Sequence, residues 1–200
     1  GFMQYPLFVK VDKIKAIHGG NNNGEGTYSG AMIKFGNTRL VNKLKGSINV
    51  KHDGMIEVRG KGKALSGVLE IDGRFTKAGI SNMHINVERG LLGDIALSNG
   101  KLGGYVNAKV QLRPSAKTMH LGSAQIQIEK FVAQDFSFQN EPHIEWLMPA
   151  VKVMKLDEVN TRILFKDNLL DIVSFDGHGE GIRTQLTGRM DYSGRLNSQM

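Results

Sequence analysis

Apolar and polar residues alternate along most of this chain, and glycines interrupt the alternation at intervals. Between residues 46 and 61 the alternating apolar positions are Ile48, Val50, Ile56 and Val58, and polar residues such as Asn49 and Glu57 lie between them. Successive side chains of a strand point to opposite faces, so a period of two indicates strands with one apolar and one polar face. The pattern predicts an all-β fold, a long antiparallel meander of ten or more strands. The sheet is expected to be curved. The pattern leaves open whether it stays partly open, closes into a barrel, folds over like a taco or pairs as a sandwich.

The same alternation returns in the carboxy-terminal third. Val159, Ile163 and Phe165 form the predicted apolar face together with the first four. The residues that alternate with them are Asn160, Arg162, Leu164 and Lys166. The segment between these regions lacks the alternation and contains Pro142 and Pro149. Because proline favours the first turn of a helix and ends one that is under way, we predict one short helix near residues 141–153.

Several dipeptides predict the turns of the meander. Asp53-Gly54, Asp72-Gly73 and Asn99-Gly100 are each flanked by alternating segments. Such pairs suit the two-residue hairpin turns that need a positive φ. Gly36-Asn37 predicts a fourth hairpin, and the Gly- and Asn-rich stretch Gly19–Gly30 predicts a loop.

Length and composition are those of one β-rich domain, residues 1–200, with 1–115 and 116–200 as candidate halves. The chain has no cysteine, which excludes disulfides, thiolate metal sites and thiol nucleophiles. It also has no apolar run long enough for a membrane-spanning helix.

The formal net charge of +7 is spread along the chain, and the densest short basic patch is Arg59, Lys61 and Lys63. A solvated strand face explains this patch most simply. A contact with anionic lipid headgroups or an acidic partner is the alternative. Nucleic acid is not expected as a partner, because no strand carries paired aromatic residues for base stacking and no basic helix is evident.

The sequence contains no convincing catalytic or metal-binding motif. The histidines do not form the HExxH spacing of zinc peptidases. His143 and Glu145 lack the PCxxC partner of the zinc deaminases, and Asp176 and His178 would need further ligands from elsewhere. No G-x-S-x-G nucleophile motif occurs. We therefore expect a non-enzymatic protein without a cofactor or a metal.

The best resemblance to a known family comes from short strand segments and glycine-containing segments in the carboxy-terminal third. These segments are Leu156–Val159, Thr161–Phe165, Asn168–Ile172, Gly177–Gly181, Leu186–Gly188 and Met190–Tyr192. They resemble the strand pattern of AsmA-like envelope proteins, and within that group the chain is similar to the type II secretion system protein N (GspN) family. Leu91–Ile95 and Ala108–Pro114 fit the middle of that family's pattern, and Tyr5–Ile17 fits its start.

The resemblance implies a periplasmic accessory or scaffold component of a type II secretion system, anchored to the inner membrane by a segment outside this sequence. Its partners would be other secretion-system or envelope proteins. The resemblance also implies an alternative, a lipid-binding or lipid-transfer groove with phospholipid as the ligand. A sheet with one apolar face must cover that face with something, and either a protein or a lipid would do so.

Overall fold

The computed structural model describes residues 7–18, 24–35, 38–95, 100–113, 120–134, 153–166, 169–191 and 196–199. Within them the chain forms one antiparallel sheet of thirteen strands, which confirms the predicted all-β meander. The strands are β1 (Leu7–Lys10), β2 (Lys13–His18), β3 (Gly24–Phe35), β4 (Thr38–Val50), β5 (Ile56–Ala64), β6 (Gly67–Thr76), β7 (Gly79–Leu91), β8 (Lys101–Leu112), β9 (His120–Gln134), β10 (Val153–Lys166), β11 (Leu169–Gly179), β12 (Ile182–Asp191) and β13 (Leu196–Gln199).

From β3 to β13 each strand pairs with the next strand along the chain. At one edge β1 and β2 both pair with β3, where Lys10 lies opposite Met32 and Lys13 lies opposite Ser29. Strand β13 forms the other edge and pairs with β12, so within the described residues the sheet is curved but not closed. Strands β8 and β9 pair with each other, and the sheet therefore continues across the boundary between the two candidate halves.

The predicted hairpin at Asp53-Gly54 is confirmed. Gly54 has a φ of 81°, and the Asp53 carboxylate accepts a hydrogen bond of 2.9 Å from the backbone N–H of Met55. Short polar side chains that bond to the backbone two residues ahead favour this kind of turn. The hairpin around Gly36-Asn37 is confirmed by its flanking strands β3 and β4, while its two turn residues lie outside the described residues.

The predicted turn at Asp72-Gly73 is wrong, because β6 runs through both residues. The chain instead turns at Leu65-Ser66, where φ is 47° and 62°. Both values are positive, as in the two-residue hairpin turns that match the twist of antiparallel strands. Gly73 is buried within the sheet, opposite Val58 on one side and Met83 on the other.

Three further predictions fall partly or wholly on residues that the structure does not describe. The loop predicted for Gly19–Gly30 is wrong from Gly24 onward, where β3 begins. The turn at Asn99-Gly100 includes residue 99, outside the described part, and a single 3-10 turn at Leu92–Asp94 precedes it. The helix predicted near residues 141–153 also lies outside the described residues, except for Val153, which begins β10.

Candidate functional site

One face of the sheet is apolar across most of its width. Ile48 on β4 lies opposite Val58 on β5, and Val58 lies opposite Gly73 on β6. Directly opposed residues of antiparallel strands share a face. The row continues across the next five strands through Met83, Leu112, Gly122, Phe165 and Leu170. The two groups of residues predicted for an apolar face are therefore on the same side of the sheet, although about a hundred residues separate them.

Burial on this face varies along the strands. At the end near the Asp53-Gly54 turn, Val50 and Ile56 lie opposite each other, and each is 37% exposed. In the row at the other end, Val106 is 8% and Val159 only 1% exposed. Between these ends Ile48, Val58, Ile163 and Phe165 are half-buried. The apolar face is thus closed toward one end of the strands and open toward the other.

A tyrosine lies over the middle of this face, opposite Gly46. Tyr28 is 8% exposed, and its hydroxyl donates a hydrogen bond of 3.1 Å to the carbonyl oxygen of Arg59. A Cβ on Gly60 would meet the Tyr28 hydroxyl, and a Cβ on Gly46 would meet the Arg59 carbonyl oxygen. Burial raises the pKa of Tyr28. Sequence reasoning missed this residue, because it lies in the stretch predicted as a loop.

Tyr28 belongs to the main cluster of buried side chains. Its other buried members come from β3 to β6, and half-buried residues of β4 to β7 pack against them. The buried members are Tyr28, Ala31, Leu44, Ala64 and Leu69. Neighbouring strands thus supply the core themselves, on the apolar side of the sheet.

The predicted basic patch lies on the opposite, polar face, and two of its three residues are paired. The Arg59 side chain is 3.2 Å from the Asp72 carboxylate, and Lys61 Nζ is 2.6 Å from Glu70. The hydrogen bond and the charge of Glu70 raise the pKa of Lys61. Lys63 lies opposite Val68 and has no carboxylate partner among the described residues. These contacts neutralise most of the patch and leave Lys63 as its unpaired cation.

Two shallow cavities extend over the polar face. The larger, of about 750 Å³, is bounded by β3 to β9 and the smaller, of about 560 Å³, by β7 to β11. Asn86, Lys109 and Gln125 line both cavities, so the two are adjacent. Amide and charged side chains dominate their walls. The polar face is thus grooved, and apolar residues such as Ile71 and Val110 line the larger groove beside the polar ones.

Glu158 is the centre of a polar network near the closed end. Its carboxylate accepts hydrogen bonds from the side-chain amides of Gln127, at 2.7 Å, and Asn160, at 3.0 Å. These bonds, with a smaller contribution from His178 at 3.8 Å, lower the pKa of Glu158. Asp176 instead accepts a hydrogen bond of 2.8 Å from Gln185. The structure thus gives Asp176 and His178 separate partners.

The described residues contain no cluster of three or more metal-ligating side chains. His143 and Glu145 lie outside this part of the chain. Within the same part, no helix is long and apolar enough to cross a membrane.

Known proteins give no independent assignment. The chain matches no protein-family model, no curated protein and no solved structure.

Proposed function

We propose that this chain is a non-enzymatic, periplasmic accessory domain of a type II secretion system, which acts as a scaffold by holding a partner protein against its apolar sheet face. The observation that carries this proposal is the unbroken apolar row from Ile48 on β4 to Leu170 on β11. Large exposed apolar surfaces on proteins commonly mark sites of interaction.

The size of the face suits a protein partner. Eight strands about 4.8 Å apart span roughly 34 Å, and nine residues of a strand span about 30 Å. The face therefore covers on the order of 1,000 Å², while a stable interface needs about 800 Å² from each partner. The open end, with Val50 and Ile56, is the part that a partner would cover most directly.

A lipid-binding groove is the second candidate, and the gradient of burial favours it. The face closes toward Val106 and Val159 and opens toward Val50 and Ile56. Such a gradient would let an acyl chain lie over the partly exposed residues, with its tail toward the closed end and its headgroup in water at the open end. Burial of each CH₂ group contributes about 0.8 kcal/mol, so one chain could supply substantial affinity.

A pair of variants separates the two candidates. Val50→Asp/Ile56→Asp places two charges at the open end, where the side chains remain partly exposed and the fold should survive. Val68→Asp is the control, because Val68 is 54% exposed on the polar face of the same sheet. Circular dichroism first establishes that both variants are folded.

Native mass spectrometry of protein purified without detergent then detects phospholipid, and affinity purification from envelope extracts of the source bacterium detects secretion-system proteins. The scaffold is supported if the wild-type protein carries no phospholipid and binds a secretion-system protein that only the Val50→Asp/Ile56→Asp variant fails to bind. The groove is supported if the wild type and the Val68→Asp control carry a phospholipid that the Val50→Asp/Ile56→Asp variant has lost. If both ligands are absent, or the control loses them equally, the apolar face is not the functional surface.

A further inference from the structure

A third cavity, on the polar face, brings together three cations from separate parts of the chain. It has a volume of about 430 Å³ and lies beside the Leu65-Ser66 turn. Lys34 from β3, Arg39 from β4 and Lys63 from β5 line it, together with Asn42 and Asp94. Its volume falls within the range of small-molecule sites.

The pairing of the strands forces these cations together. Lys34 lies directly opposite Arg39, and Lys63 lies directly opposite Asn42. Like charges that face each other across two strands are destabilising, so this arrangement has a cost in the empty protein. A bound anion would remove that cost.

These cations differ from those of the neighbouring patch in having no ion pair. Arg59 and Lys61 each have a carboxylate partner on β6. Lys34, Arg39 and Lys63 form no ion pair with any described residue, and Asp94 is the sole carboxylate among the residues that line the cavity. Three positive charges and one negative charge leave the site with a net charge of about +2.

We propose that Lys34, Arg39 and Lys63 bind a phosphate group. A phosphate monoester carries a charge of about −1.5 to −2 at neutral pH, which matches the charge of the site. The planar guanidinium of Arg39 can donate two parallel hydrogen bonds to phosphate oxygens, and lysine binds phosphate as a point charge. The Asn42 amide can supply a further donor. The phosphate can belong to a small soluble molecule or to the headgroup of a lipid.

This inference goes beyond the proposed function and does not depend on it. Lys63 lies between Gly62 and Ala64 in β5, on the face opposite the apolar one. A negative result here would leave the proposed role of the apolar face unchanged.

The test compares two triple variants of equal charge. Lys34→Gln/Arg39→Gln/Lys63→Gln removes the three cations of the cavity. Lys45→Gln/Lys109→Gln/Lys155→Gln removes three exposed lysines of the polar face that lie outside the cavity and form no ion pair with described residues. Calorimetry measures binding of inorganic phosphate, and flotation measures binding to phosphatidylcholine vesicles that contain one-fifth phosphatidic acid.

Because a hydrogen bond to a charged group typically changes an equilibrium by a factor of ten or more, the cavity variant should lose at least about tenfold in affinity. The control should stay within about threefold of the wild type. Binding of free phosphate at micromolar to low millimolar concentration identifies a soluble ligand, whereas binding of vesicles alone identifies a lipid headgroup. Equal losses in both triple variants, or no binding of either probe by the wild type, would overturn the proposal.

Asp94 provides a second and opposite test. Its carboxylate lies in the same cavity and repels an anion there, so Asp94→Asn should tighten the binding of phosphate by about three- to tenfold. An affinity that is unchanged or weaker would show that the anion does not occupy this cavity.

Discussion

Leu69 offers the sharpest test of which face of the sheet forms the core. Its side chain is 1% exposed, and its opposed neighbours are Gly62 on β5 and Val87 on β7. The preceding residue, Val68, points to the other face and is 54% exposed. Replacing each of the two residues by alanine therefore probes opposite faces at the same place in one strand.

The expected magnitudes differ severalfold. Leu→Ala substitutions in cores cost between about 2.7 and 5 kcal/mol, because the lost burial adds to the cavity that remains. Gly62 has no side chain that could move into this cavity, so we expect about 3 kcal/mol or more for Leu69→Ala. Val68→Ala loses little burial, and we expect less than about 1 kcal/mol.

Urea unfolding followed by far-UV circular dichroism measures both variants. For a chain of this size, 3 kcal/mol lowers the melting temperature by roughly 6 to 12 °C. Similar free energies of unfolding for the two variants, or a larger loss for Val68→Ala, would show that the apolar face is assigned to the wrong side of the sheet.

Three further predictions follow from single contacts. Gly46→Ala places a Cβ against the carbonyl oxygen of Arg59 and should cost at least about 2 kcal/mol in urea unfolding, whereas Gly24→Ala, with its nearest neighbour at 3.7 Å, should cost less than about 1 kcal/mol. Tyr28→Phe removes the hydrogen bond to the Arg59 carbonyl oxygen and should lower the free energy of unfolding by about 1 kcal/mol. A variant as stable as the wild type would show that this bond does not stabilise the fold. Hydrogen bonds lower the pKa of Glu158 from its ordinary value of 4.5. The ionised Glu158 carboxylate therefore stabilises the fold fully above pH 4.5, and this stabilisation is lost as the pH falls through the lower pKa of the folded state. The urea midpoint of the wild type should therefore fall more steeply than that of Glu158→Gln on acidification from about pH 5 to pH 3, and parallel curves would contradict this.

Local sequence patterns predicted turns unevenly. At Asp53-Gly54 the prediction was right, since a carboxylate that bonds the backbone and a glycine with positive φ both favour the turn. At Asp72-Gly73 the same kind of dipeptide lies inside a strand, because Asp72 pairs with Arg59 across the polar face and Gly73 is buried on the other. The nearby turn at Leu65-Ser66 has no such signature, and only the pairing of β5 with β6 identifies it.

The alternation of side chains determined, without any tertiary information, that this protein is a sheet with one apolar and one polar face. That inference needs only the period of a strand, which is a local property of the backbone. Tertiary structure alone decided which residues meet. Strand register joined Ile48 to Phe165 in one apolar row, paired Arg59 with Asp72, and gathered Lys34, Arg39 and Lys63 around one cavity. Register depends on bulges and on the packing of distant strands, and these are set by the whole sheet rather than by neighbouring residues.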